Sequence, residues 1–271
     1  MKFPLFTIII LLLSTDLFSQ NIGQEGDTLK NYTDINGLKQ GYWKKKYSNG
    51  EIEYTGYFID NKPVGEFKRY DKYGNLYAFL VNDTTTNYSR ATFYHRNGKV
   101  IATGNYIGHN KDSIWNYYDG NDILYLQESY KNGKKDGTFK RYSRERVLLE
   151  EINWKDDVRN GVWRKYYYNG IMMWEGYYVN GKLEGEAKVW NSNGKLYKKG
   201  SFKNDLMEGI WTKYDEHGNI IKQYKYTNGI CPELEDEQNE MLKEMQKSKG
   251  KFPEPKNMND IDWLRGRSEN Y

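Results

Sequence analysis

The chain has 271 residues, a formal net charge of +4, 37% hydrophobic residues and a mean hydropathy of −0.97. An aromatic content of 16%, with 26 Tyr and 8 Trp, excludes disorder for the bulk of it, because disordered chains are poor in aromatics. The single cysteine, Cys231, excludes an internal disulfide and a cysteine-based metal site.

Residues 1–19 read as a signal peptide. Lys2 supplies the positive start, Ile8 to Leu13 form the apolar heart of a run too short to span a bilayer comfortably, and Ser19 is a small residue ahead of a cleavage point before Gln20. An uncleaved N-terminal anchor is the alternative. No cysteine follows the run, so a lipoprotein is excluded. The expected location is outside the cytoplasm, periplasmic or secreted. Residues 20–40 are polar and are expected to form a flexible lead-in.

From Gly41 a 24-residue frame repeats eight times without a gap, starting at Gly41, Gly65, Ser89, Ser113, Gly137, Gly161, Gly185 and Gly209. Fixed-period self-similarity outweighs any local reading of secondary structure. Positions are written here as offsets from each start. Position +2 holds Trp43, Phe67, Ala91, Trp115, Phe139, Trp163, Ala187 and Trp211. Position +5 is Tyr or Trp in seven units, among them Tyr118, Tyr166 and Tyr214. Position +11 is apolar in all eight, from Ile52 to Ile220. Position +17 is aromatic in seven, including Tyr178, with Asn82 the one failure.

Asn49-Gly50, Asn97-Gly98, Asn169-Gly170 and Asn193-Gly194 mark a first turn, and Asn132-Gly133, Asn180-Gly181 and Asn228-Gly229 a return. Such pairs accept the positive φ of tight hairpin turns. Each unit is therefore a β-hairpin, and hairpin after hairpin makes an antiparallel meander of about sixteen strands. Two stretches depart from the pattern: Leu80–Asn87 loses the glycine and the aromatic, and Ser143–Arg146 puts SRER where an Asn-Gly turn belongs. Drift is one reading of both; a bend, a longer loop or a binding specialisation is the other.

After Ile230 the pattern stops. Pro232, followed by Glu233, Glu235, Asp236 and Glu237, predicts a helix from Glu233 to about Lys247. Ile261, Trp263 and Leu264 form an apolar cluster that could dock on the end of the sheet.

Positions +2 and +5 have opposite parity, and +3 and +4 are rich in Lys and Arg, so neither face of the sheet reads as purely apolar. The expected fold is all-β: an elongated single-layer antiparallel meander of about eight 24-residue β-hairpin repeats, with a short C-terminal α-helix. Glycine recurs at +15, including Gly176 and Gly200, where it leaves room for a cross-strand aromatic such as the +2 Trp.

No catalytic, metal or cofactor constellation emerges. The histidines His95, His109 and His217 fall in or beside turns, and no H-x-x-x-H or H-E-x-x-H spacing exists. Glu150-Glu151 and Asp156-Asp157 are paired carboxylates that would need a cleft to act together. Cys231 has no histidine near it in sequence. Residues 21–230 carry +7 once the balanced signal segment and the acidic tail, with seven Lys/Arg against ten Asp/Glu, are set aside.

The stretch GVWRKYYYNGIMMWEGYYVNGKLEG resembles the MORN-repeat variant family, in which G-x-W-x-x-Y, N-G, E-G-x-Y and N-G-K-x-x-G recur. The resemblance covers about residues 36–230 and is strongest at Gly161–Gly229. It implies an elongated antiparallel sheet used as a scaffold or binding surface. It also implies association with membranes, phospholipids or protein partners. Some bacterial variant-repeat proteins carry a toxin–antitoxin label in the antitoxin role. The resemblance brings no catalytic residue.

The expected function is a non-enzymatic exported scaffold that binds a protein partner in the cell envelope. The alternatives are a module for anionic lipid or polysaccharide, motivated by the basic, aromatic sheet, and an antitoxin or immunity-like protein. Nucleic acid is not expected as a partner, because the chain is expected to be exported.

Overall fold

The computed structural model describes residues 30–234 and 240. The expected signal segment, most of the expected C-terminal helix and the Trp263 cluster lie outside them. The chain divides into two compact units, up to Gly108 and from His109. Both are built of antiparallel strands that pair with their sequence neighbours.

The first unit contains β1 (Tyr32–Thr33), β2 (Lys39–Lys46), β3 (Ile52–Ile59), β4 (Lys62–Tyr70), β5 (Leu76–Asn82), β6 (Tyr88–Tyr94) and β7 (Val100–Ile107). The second contains β8 (Asn110–Tyr118), β9 (Leu124–Lys131), β10 (Lys134–Lys135), β11 (Gly137–Tyr142), β12 (Leu148–Lys155), β13 (Val158–Tyr166) and β14 (Met172–Val179). It continues with β15 (Lys182–Leu183), β16 (Gly185–Trp190), β17 (Leu196–Lys203), β18 (Leu206–Tyr214) and β19 (Ile220–Tyr226). Among the described residues, nineteen strands replace the sixteen expected because β1 precedes the frame, and β10 and β15 are short pieces separated from β11 and β16. The expected lead-in thus ends in structure: Tyr32 and Thr33 pair with Gln40 and Lys39, and the Asn31 side chain bonds both the N–H and the C=O of Lys44. That side chain imitates a neighbouring strand and satisfies an edge that would otherwise be open. Pro232–Leu234 is helical, as is Glu240.

The two turns of each unit differ. In the first, the +6 N–H donates to the +10 carbonyl in all eight units, as in Tyr167 to Ile171, and only +9 has positive φ. This is a three-residue loop with one left-handed residue, and the Asn-Gly pair fills its last two positions. The return turn puts two residues at positive φ in six of the units, as at Asn180 (49°) and Gly181 (85°).

SRER forms the same first turn as its counterparts. Arg146 takes the left-handed position at φ 64°, and the Ser143 hydroxyl accepts hydrogen bonds from the Glu145 and Val147 N–H groups at 3.1 and 3.3 Å. No bend or long loop marks the site. The other irregular stretch does contain a longer loop, closed by Asp83 N–H donating to the Tyr88 carbonyl at 2.9 Å. Asn82, the exception in the aromatic column, is buried there. Its amide donates to the Gly65 carbonyl at 3.2 Å and its oxygen accepts from the Ser89 hydroxyl at 2.8 Å, so hydrogen bonds replace ring packing.

Burial alternates along the strands, as in β3 and β14, where Tyr54, Gly56 and Phe58, and Trp174, Gly176 and Tyr178, are the buried members. Residues directly opposite share a face, so +2 pairs with +15, +4 with +13 and +17 with the start residue. One face therefore holds the aromatic core, and Lys45 and Lys165 at +4 stand on that face too, so it is not purely apolar. Position +5 follows a register shift: Tyr118, Tyr166 and Tyr214 pair with Leu124, Met172 and Ile220 across a bulge and are half-buried. In the second unit the rings pack in a chain, Trp163 on Trp174, Trp174 on Phe202, Phe202 on Trp211 and Trp211 on Tyr226, with centroids 5.2 to 6.4 Å apart. Each hairpin is held by its neighbours, as in other repeat architectures.

Candidate binding faces

The aromatic face is occupied by its own packing. Trp43, Trp115, Trp163 and Trp211 all lie on it, opposite Gly56, Glu128, Gly176 and Tyr224. Trp115 and Trp211 are 2% exposed. Gly200 lies beneath the Trp211 ring, and Gly176 beneath Trp174, which fills the space because the following unit has Ala187 at +2. The glycines make room for aromatics as expected, but the covering ring comes from the next unit at Gly200 and from the same strand at Gly176. Tyr178 is buried, and its hydroxyl accepts a hydrogen bond from Arg159 at 3.3 Å. These residues build the sheet and are poorly placed to touch a partner.

Lysines lie over the same rings. Lys39 is 4.7 Å from the Trp43 centroid and bonds the Tyr54 hydroxyl, and Lys111 is 4.4 Å from the Trp115 centroid and bonds the Tyr117 hydroxyl. Such cations extend aromatic packing outward at a face that meets water.

At one place the glycine column holds an acid. Glu128 stands at +15, is 8% exposed, and accepts from the Tyr130 hydroxyl at 2.7 Å and from Lys135 Nζ at 2.8 Å. Burial pushes its carboxyl up, but Lys135, Tyr130 and Tyr117 outweigh burial and hold it below the ordinary range. Burial and the carboxylate push Tyr130 up to about 12, and Tyr117 well above its ordinary value. Burial lowers the Lys111 ammonium. A carboxyl held ionised by its donors is a poor general acid, so the cluster reads as a satisfied polar plug in the core. It was missed in the sequence, although an acid in a column of glycines was the available signal.

The opposite face of the second unit is polar. Positions +3 and +14 stand directly across from one another, strand after strand: Asn116, Gln127, Lys140, Glu151, Arg164, Glu175, Lys188 and Lys199. Gln127 Nε2 donates to Asn116 at 2.9 Å, Arg164 Nε to Glu175 at 2.7 Å, and Lys199 Nζ lies 2.8 Å from Glu186. Beside this ladder stand exposed apolar side chains at +1 and +16, Ile114, Tyr177 and Ile210. The sequence showed the basic residues of +3; the acids across from them at +14 went unread because they belong to the returning strand.

The ladder also separates Glu150 from Glu151. Glu151 faces Lys140 and Arg164, while Glu150 lies on the aromatic face, accepting from Trp163 Nε1 at 2.9 Å and from Arg141 Nε at 3.4 Å. Asp156 and Asp157 form a return turn, with φ 48° and 67°. Neither pair forms a carboxylate dyad. His95 and His217 lie in first turns, and Cys231 is buried in the aromatic cluster.

The family model described as "MORN repeat variant" matches residues 90–107, 183–204 and 207–228. The chain thus carries MORN-variant repeats in both of its units. No curated protein is significantly similar to it in sequence. One solved structure, titled "Crystal Structure of TcdB2-TccC3-TEV", is similar over 71% of this chain and 13% of that one, at 11% identity and a TM-score of 0.19, too loose a likeness to support an argument. MORN repeats are generally protein- or lipid-binding modules, and their β-meanders are typically non-enzymatic.

Proposed function

We propose that this chain is a non-enzymatic scaffold that binds a protein partner through the polar-ladder face of its second unit. The observation that carries this reading is the composition of that face: Tyr177 and Ile210, 39% and 58% exposed, flank ion pairs already held in place by the sheet. Protein interfaces combine aromatic or aliphatic anchors with Arg and a polar surround, and a regular sheet presents them with little ordering cost. Lys2, the apolar run and Ser19 support export, and hence a partner in the cell envelope.

Affinity purification from envelope fractions tests the proposal. A partner should be retained by the wild-type chain and lost by Tyr177→Ala/Ile210→Asp, with both proteins equally folded by circular dichroism. Equal retention by the variant would refute the face assignment. N-terminal sequencing of the mature protein should begin at Gln20; recovery only in the cytoplasm with an intact N-terminus would end the export reading.

Anionic lipid or polysaccharide is a second reading, supported by β17–β19, which carry six lysines and one glutamate. Sedimentation with phosphatidylserine vesicles and with cell-wall glycan at low salt tests it, and no binding to either would remove it.

A further inference from the structure

The polar ladder of the second unit has an order that no single strand shows. It runs across the sheet from Asn116 on β8 to Lys199 on β17, each member directly across from the next, and its midpoint falls between Glu151 on β12 and Arg164 on β13. Reversed about that midpoint, the ladder sets Glu151 against Arg164, Lys140 against Glu175, Gln127 against Lys188 and Asn116 against Lys199. The two central pairs are opposite charges. The two outer ones put an amide, whose oxygen accepts, against an ammonium, and no pair is of like charge. Moving the midpoint one strand, to between Arg164 and Glu175, would set Lys140 against Lys199.

A second row on the same face has the same property. Tyr166 is two residues beyond Arg164 in β13, so both point to one side of the sheet. Glu151, Arg164 and Glu175 all lie close enough to act on its hydroxyl. Positions +5 and +11 therefore form a half-buried stripe beside the ladder, an aromatic ring across from an aliphatic side chain in each hairpin, as in Tyr142 with Leu148 and Tyr166 with Met172. Reversal about the same midpoint puts Tyr166 against Leu148 and Tyr142 against Met172, so rings again meet aliphatic groups.

We propose that a second copy of this chain binds on this face, its sheet turned about a two-fold axis that runs parallel to the strands between β12 and β13. This deepens the reading of the ladder face as a protein-binding surface and rests on it. Such an isologous contact lays ladder on ladder and stripe on stripe. Stacked sheets lie about 10 Å apart and within about 30° of alignment, a gap that Lys, Arg and Glu side chains from both sides span. The ladder changes sign at the strand spacing, and a second copy supplies a partner with that same spacing. Arg164 is already held by Glu175 at 2.7 Å and lies 4.0 Å from Glu151, so little further ordering is needed when the copies meet. From +1 to +5 over the eight strands of the ladder the face measures about 40 Å by about 17 Å, roughly 700 Å² on each copy, close to the about 800 Å² per partner of a stable interface.

Zero-length carbodiimide crosslinking of the full chain tests this, using an equal mixture of ¹⁵N-labelled and unlabelled protein followed by peptide mass spectrometry. Within one chain Lys140 and Glu175 stand three strands apart, about 14 Å, beyond the reach of a direct amide bond. The expected result is a Lys140–Glu175 crosslink, half of it carrying both labels, as random pairing of copies requires. Glu151→Arg and Arg164→Glu should each abolish it, and an equal mixture of the two variants should restore it, because each then faces its complement. The Lys155–Asp136 pair, 2.6 Å apart, is the control within one label. Absence of the Lys140–Glu175 product from the wild type while the control reacts would overturn the proposal, and so would its presence in single-label form alone. A different protein retained by the wild type and lost by Tyr177→Ala/Ile210→Asp, with no such crosslink, would remove the second copy and leave the face reading in place.

Discussion

A Cβ built on Gly200 would lie 2.1 Å from Cδ2 of Trp211, in the strand beside it. The ring rests flat on the glycine backbone, and its Nε1 donates to the Ser201 carbonyl at 3.0 Å. The same arrangement puts Phe67 over Gly56, where the Cβ would meet Cδ2 at 2.3 Å. Glycine at +15 and an aromatic at +2 of the next unit are thus the two halves of one contact, and the contact joins hairpins.

Gly200→Ala should destabilise the second unit by about 3 kcal/mol, the upper end of overpacking costs, because the ring it displaces is buried. Trp211→Ala should cost about 3–5 kcal/mol by leaving a cavity. Combined, the two changes should cost less than their sum, since the alanine methyl enters space the ring has left. Urea denaturation of the three variants checks this; strict additivity would show that the two residues are not coupled.

Arg146 takes a left-handed position that glycine takes in six of the eight first turns. A side chain there costs roughly 1–2 kcal/mol. Arg146→Gly should therefore raise stability by about 1 kcal/mol, read as a higher urea midpoint at unchanged slope. Gly170→Ala, at φ 80°, should do the reverse.

Asp83 orders the loop between β5 and β6 of the first unit. Its Oδ1 accepts from the Thr85 and Thr86 N–H groups at 2.8 and 2.7 Å, and these bonds lower its pKa from 3.8 to about 2. A depressed carboxyl stabilises the fold above its unfolded pKa, and that stabilisation disappears as pH falls from about 4 through about 2. The Asp83 carboxyl should titrate near pH 2 by NMR, and Asp83→Ala should loosen residues 83–87 at neutral pH. Titration near 3.8 would contradict the loop geometry.

Lys135→Met should cost about 1.5–3 kcal/mol, the contribution of a hydrogen bond to a charged group, because it strips the ammonium from buried Glu128. Glu128→Gly restores the repeat's own residue at +15 and should be much milder in the Lys135→Met background. The Glu128 carboxyl is lowered in the folded state, so its contribution is present above its ordinary range and lost as pH falls. Thermal melts across acidic pH should show the wild type losing more stability than the double variant.

Much of the architecture was legible because a 24-residue period imposes the same contacts on each hairpin. Trp163, Tyr178 and Gly176 recur for that reason, and their columns predicted an antiparallel meander with glycine under aromatics. The turn type was not legible: Asn-Gly suits two loops, and the hydrogen bond from +6 to +10 decides between them. The cross-strand neighbour of +5 was not legible either, since a bulge shifts the register just before it.

The sequence by itself determined the hairpin count, the period and the residues of the core, because all three follow from local side-chain chemistry repeated in phase. Only the tertiary structure decided which residues stand across from one another. Register puts Glu150 with Trp163 and Glu151 with Arg164 on opposite faces, sets Lys198, Lys213 and Lys222 in one row, and turns Cys231 and Leu234 back over the aromatic rings. Cross-strand neighbours are fixed by loops and bulges remote in sequence, so the charges that meet on this sheet are set by pairing, which no single strand encodes.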